Sequence, residues 1–136
     1  MADTYDVIVV GGGASGENVA GRCAAGGLRT ALVERHLVGG ECSYWACMPS
    51  KALLRPGEAL AAVRRVPGAR EAVAGEVDQA AALARRDGIV TSWDDRYQVE
   101  WVENERVELV RGHARLAGPR RVEVRDVGGG GGGGGG

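Results

Sequence analysis

Two cysteines, a lysine and a run of glycines are the residues of this chain whose types and spacing could do chemistry. Cys42 and Cys47 stand five positions apart in the stretch Gly39-Gly40-Glu41-Cys42-Ser43-Tyr44-Trp45-Ala46-Cys47-Met48-Pro49-Ser50-Lys51. Five residues of regular α-helix separate two Cα atoms by about 7.5 Å along the axis and turn them to different faces. That exceeds the roughly 7 Å within which a disulfide can form, so an ideal helix could not bridge the pair. Paired, they demand a bent or distorted first turn, whose helix-terminal N–H groups would aim at sulfur and favour a reactive thiolate. Unpaired, they are two thiols beside a turn. The spacing alone leaves both readings open.

The glycines read more directly. Gly11-Gly12-Gly13-Ala14-Ser15-Gly16 satisfies G-x-G-x-x-G and follows Asp6-Val7-Ile8-Val9-Val10 without a gap. That β-branched run fits a strand buried on both faces of a parallel sheet. A helix is expected over 14–26, with Val19, Ala20, Cys23 and Ala24 on one stripe and Gly26-Gly27 ending it. A second strand over 29–33 closes in Glu34. In such a βαβ unit Gly11 allows the tight turn, Gly13 lets a pyrophosphate approach the backbone, and Gly16 lets the helix pack against the strand. The phosphates sit at the positive end of the helix. Glu34, 23 positions after Gly11, stands where a carboxylate accepts hydrogen bonds from an adenosine ribose and disfavours a 2′-phosphate. The unit is therefore expected to bind a dinucleotide, and it suits FAD and NAD equally. Cys23 reads as a buried spectator and His36 as a loop residue.

The remaining elements must position these groups. Pro49 fits the first turn of a helix over 50–63, with Pro56-Gly57 as a kink or break. Pro67-Gly68 marks a turn, and 69–86 is alanine-rich and helical in pattern, weakened at Gly75. Ile89, Trp93, Tyr97 and Trp101 recur every four residues, which predicts one amphipathic helix over 88–104 with the aromatic stripe in the core. A short strand over 107–110 precedes two strands, 113–117 and 121–125, that flank Gly118-Pro119 as a hairpin. The chain of 136 residues, formally charged −1, has room for one domain and carries no basic cluster for nucleic acid or acidic membranes. No apolar run is long enough for a bilayer and no secretory leader is visible, so a cytoplasmic location follows by default. Three cysteines are too few and too odd a number for a disulfide-stapled secreted domain. No metal site is expected. The all-glycine run 128–136 reads as a flexible tail outside the fold.

The glycine turn, Glu34 and above all Gly-Gly-Glu-Cys-x4-Cys-Met-Pro-Ser-Lys resemble the N-terminal FAD-binding region of the class I pyridine nucleotide–disulfide oxidoreductases. This family includes dihydrolipoamide dehydrogenase, glutathione reductase and mercuric reductase. The resemblance extends over 5–127, since Gly112-His113-Ala114 is similar to the family's adenine-contacting segment. It implies an α/β fold: a partial Rossmann-like FAD-binding domain over 1–127, with a parallel sheet, helices and a small antiparallel hairpin. By the same resemblance Cys42 is the thiol that exchanges with a small-molecule or protein disulfide, Cys47 the thiol facing the flavin, and Lys51 the lysine beside the flavin ring. Gly11, Gly13, Ala14, Ser15, Gly16, Glu34 and Arg35 would hold adenosine and pyrophosphate. Gly40, Glu41 and Cys42 would line the path to the ring, and Ala114 would meet the adenine. NAD(P)H would supply the electrons, passed through FAD to a Cys42–Cys47 disulfide.

This sequence departs from the family pattern in two respects. Glu41 stands where many members carry Thr, and an acid near a pyrophosphate must point away or be hydrogen-bonded. The family's second FAD-contacting segment, its nicotinamide domain and its dimerisation domain with the His–Glu base have no counterpart in these residues. Neither His36 nor His113 matches that base, and the homodimer of the family would lack its interface. The chain resembles an N-terminal fragment. The other reading is a catalytically silent FAD- or nucleotide-binding module with exposed apolar faces.

Overall fold

The computed structural model describes residues 3–127; the glycine run 128–136 lies outside the described residues. The chain divides into two compact units, one formed by residues up to Gly40 together with those from Asp95 onward, the other by 41–94. The fold is α/β, with a parallel three-stranded sheet and an antiparallel two-stranded hairpin.

The first unit is built on β1 (Val7–Val10), α1 (Ala14–Ala25), β2 (Thr30–Glu34), α5 (Arg96–Asn104), β3 (Glu108–Arg111), β4 (His113–Leu116) and β5 (Val122–Arg125). The sheet order is β1-β2-β3. Val7 to Val10 run parallel to Thr30 to Val33, and Ala31 to Glu34 parallel to Glu108 to Arg111. Ala20, Leu32, Val38, Val102 and Val107 form the buried core, with Val9, Ala24, Val99 and Leu109 packed around it. The fully buried strand is β2, not β1. Bonded to β2 alone among the described strands, β1 alternates, with Ile8 and Val10 exposed. The expected hairpin forms as β4 and β5, with His113 opposite Arg125 and Leu116 opposite Val122.

The second unit contains α3 (Cys47–Arg64) and α4 (Gln79–Ile89), preceded by α2 (Gly40–Tyr44), whose first residue belongs to the first unit. Pro56 does not break α3. A proline there cannot donate to the carbonyl four residues back. That orphan, Ala52 O, is taken by Arg85 of α4 through Nη1 at 2.8 Å. The helical pattern over 69–86 is realised only at its end: a 3₁₀ turn at Arg70–Ala72 is followed by non-helical backbone with Gly75 at φ 92°, and α4 starts at Gln79 behind its N-cap Asp78.

The single helix expected over 88–104 is also two pieces. Between α4 and α5, Thr91, Ser92 and Trp93 all have φ of 51–58°, a left-handed turn that L-residues adopt only at a cost. Thr91 Oγ1 donates to the Asp94 carbonyl at 2.6 Å and closes it. The i, i+4 aromatic spacing therefore spans a break, and Trp93, Tyr97 and Trp101 are exposed rather than core.

Candidate functional site

The glycine turn between β1 and α1 uses each of its glycines differently. Gly11 has φ 99°, the left-handed region open to glycine. A Cβ on Gly16 would lie 1.9 Å from the Gly11 carbonyl oxygen, so only glycine lets α1 start this close to the turn. A Cβ on Gly13 would meet nothing within 4 Å, and Gly13 has ordinary φ of −80°. Neither packing nor backbone conformation asks for glycine at 13. Gly13 is the N-cap of α1 and no side chain caps the helix, so Ala14 and Ser15, both exposed, bring their N–H groups to a helix start open to an anion.

Glu34 ends β2 and is buried to 8 % exposure. One carboxylate oxygen accepts the Gly12 N–H at 2.7 Å and the other accepts the His36 N–H at 2.7 Å. Gly12 was not among the residues singled out by pattern, because it fills an unspecified position of G-x-G-x-x-G. A Cβ there would stand 3.2 Å from that of Glu34, so Gly12 couples the acid to the turn. Gly39 opens the cysteine stretch, but its part in the glycine turn does not show in the sequence. Its N–H donates to the Gly12 carbonyl at 2.7 Å, and it bridges to Gly13. Gly40, at φ 61°, approaches so closely that its Cβ would lie 2.8 Å from the Gly13 Cα. Gly11 to Gly16, Glu34 and Gly40 are thus one constellation.

Cys42, Cys47 and Lys51 form the second, within 41–94. Cys42 lies in α2 and Cys47 opens α3. The break between them is made by the Glu41 carbonyl, which accepts the N–H of Trp45 at 2.9 Å and of Ala46 at 2.7 Å. Ala46 has φ −122° and ψ −91°, outside the helical region. Cys42 and Cys47 are free thiols, and across this break the Cys47 thiol acts on the proton of Cys42. The Cys42 thiol is raised above its ordinary pKa, first by its hydrogen bond to Cys47, then by desolvation and by the charge at Cys47. The Lys51 ammonium and the backbone N–H of Cys47 act in the opposite direction. Lys51 is exposed one turn beyond Cys47. Glu41 is exposed too, and it is its carbonyl that builds the turn. Arg35, exposed just after β2, and Ala114, half-buried on β4 opposite Val124, enter neither constellation by hydrogen bond or ion pair.

A family model described as pyridine nucleotide-disulphide oxidoreductase matches residues 5–132. The chain belongs to this family. It is 31 % identical over 90 % of its length to a mercuric reductase of Lysinibacillus sphaericus, covering 22 % of that protein. It is 38 % identical over 89 % of its length to a dihydrolipoyl dehydrogenase of Thermus scotoductus, covering 26 % of that one. The chain spans about a quarter of the length of these relatives. The HOCl-induced flavoprotein disulfide reductase RclA from Escherichia coli, as its Cu(II) complex, shares the fold, with a TM-score of 0.73 at 20 % identity over 94 % of this chain and 26 % of that one. The family resemblance read from the two motifs is therefore borne out, as is the Rossmann-like α/β fold. No helix among the described residues is long and apolar enough to cross a membrane.

The first constellation fits a dinucleotide such as FAD. Space is kept where a Gly13 side chain would stand, beside a helix N-terminus without a side-chain cap. Glu34, held by two backbone donors, has lone pairs left for ribose hydroxyls.

Proposed function

We propose that residues 1–127 are part of an FAD-binding domain of an FAD-dependent NAD(P)H:disulfide oxidoreductase, in which Cys42 and Cys47 alternate between dithiol and disulfide. The break at Ala46 between α2 and α3, which parts Cys42 from Cys47 without a continuous helix and leaves one thiol acting on the other, carries this reading. Gly11, Gly13, Ala14, Ser15, Gly16, Glu34 and Arg35 would hold the adenosine and pyrophosphate. Gly40, Glu41 and Cys42 would line the path to the ring, Lys51 would lie beside it, and Ala114 would meet the adenine. Bound there, FAD would supply two-electron chemistry matched to a dithiol–disulfide couple. NAD(P)H as donor, a small-molecule or protein disulfide as acceptor, a homodimer and a cytoplasmic location belong to the same proposal.

The chain's own residues account for the exchange. The Cys42 thiolate attacks one sulfur of the substrate disulfide, forming a mixed disulfide and releasing one substrate thiolate. The Cys47 thiolate then attacks Cys42 Sγ, closing the Cys42–Cys47 disulfide and releasing the second. Two protein thiols are oxidised and one substrate disulfide is reduced. Because Cys42 holds its proton against Cys47, a base must remove it first. Lys51 and the Cys47 N–H stabilise the thiolate that results.

The test is made on the purified chain. FAD fluorescence should be quenched on titration, and Gly13→Ala should weaken binding about tenfold or more, equivalent to roughly 1.4 kcal/mol, with an unchanged melting midpoint. Thiol counts should fall from three to one on mild oxidation, the survivor being Cys23. Equal FAD binding by Gly13→Ala, or no loss of thiols, would overturn the reading. The alternative is a catalytically silent nucleotide-binding module. It predicts FAD binding with three thiols that persist.

A further inference from the structure

Between the ribose-side acid and the thiol turn runs a short loop, His36-Leu37-Val38, that neither constellation explains. Its backbone is gripped from two distant parts of the first unit. The Val38 N–H donates to Asp95 Oδ2 at 2.7 Å. Arg111, at the end of β3, donates from Nη1 to the His36 carbonyl and from Nη2 to the same Asp95 oxygen at 2.6 Å. One guanidinium thus joins the carbonyl at one end of the loop to the carboxylate that holds the N–H at its other end. The planar fork of arginine suits this two-point grip, which a lysine cannot reproduce. In the β ladder Arg111 lies opposite Glu34. It nevertheless bonds past that acid to the loop, leaving both Glu34 oxygens to Gly12 and His36.

The residues after the clamp show what it holds in place. Val38 is fully buried in the core. Gly39 donates to the Gly12 carbonyl, and Gly40 packs on Gly13. A loop free to slide would carry Gly39 and Gly40 off the glycine turn. We propose that Asp95 and Arg111 are positioning residues: they fix 36–38 so that Gly39 and Gly40 stay on the dinucleotide-binding turn. The part of this inference that concerns FAD rests on the function proposed above.

The experiment compares the chain with its Asp95→Ala, Arg111→Met and Arg111→Lys variants by amide hydrogen exchange, melting midpoint and FAD titration. In Asp95→Ala and Arg111→Met the amides of Val38 and Gly39 should exchange at least about tenfold faster, while the amides of β2 stay protected. FAD should bind about tenfold more weakly. Arg111→Lys, keeping the charge but a single donor nitrogen in place of two, should lie between Arg111→Met and the parent in both readouts. A merely structural role would lower the melting midpoint and raise exchange in β2 as well, without this graded rescue. Parent-like exchange at Gly39 in Asp95→Ala and Arg111→Met would overturn the inference, as would faster exchange with unaltered FAD affinity. Should the parent chain itself not bind FAD, the proposed function falls, and the exchange rates at Val38 and Gly39 still decide whether the clamp holds the turn.

Discussion

At the level of single residues the chemistry turns on which atom keeps a proton. Cys42 binds its proton more tightly in the folded dithiol than a thiol ordinarily does, because Cys47 accepts its hydrogen bond. The sign for stability follows: the fold's preference for protonated Cys42 is fully present below the ordinary thiol range and is lost as pH rises through the raised value. Replacing Cys47 by Ala removes the largest cause, while Lys51 and the backbone N–H at 47 remain. In reduced Cys47→Ala the pH midpoint for alkylation of Cys42, followed by peptide mass spectrometry, should therefore move down; in Lys51→Met it should move up. A midpoint unmoved by either change would break the link between these three side chains. Much at this scale was legible in advance, since G-x-G-x-x-G and the distant acid have fixed geometric reasons. Asp95, Arg111 and Gly12 were not, because their roles depend on partners between 16 and 75 positions away or on a position that the pattern leaves free.

At the level of elements, patterns failed where a local device overrode them. Pro56 sits inside α3 because Arg85 satisfies the carbonyl it orphans, a compensation from thirty-three residues beyond that carbonyl that no helix rule anticipates. Removing Arg85 should leave the Ala52 carbonyl short of a partner at a cost of about 1–2 kcal/mol. With Pro56→Ala, whose own N–H can reach Ala52, the same removal should cost about half as much or less. A double-mutant cycle by chemical denaturation reads the coupling, and additive costs would contradict it. The aromatic spacing from Ile89 to Trp101 failed for another reason: periodicity reports side-chain intervals, whereas three left-handed residues at 91–93 end the helix without disturbing those intervals.

At the scale of the whole molecule, large apolar side chains stand exposed as well as buried in the core. Ile8 and Val10 on β1 stand 36 % and 55 % exposed, and β1 has one hydrogen-bonded neighbour among the described strands. An open parallel edge carrying bare valine and isoleucine is a template for another chain. Sedimentation velocity should find a monomer at about 1 μM and larger species at about 100 μM, with Val10→Lys holding the monomer at both. A parent chain monomeric throughout would show that this edge is shielded. The alternation of β1 was hidden in the sequence because Val-Ile-Val-Val has no polar residue to mark the outward face.

The kink between Cys42 and Cys47 exists while both are still thiols. On the proposed function, oxidation would have no helix to unwind and little chain disorder to lose, since folding has already met that cost. Ring closure would then be favoured by the high effective concentration of one thiol at the other.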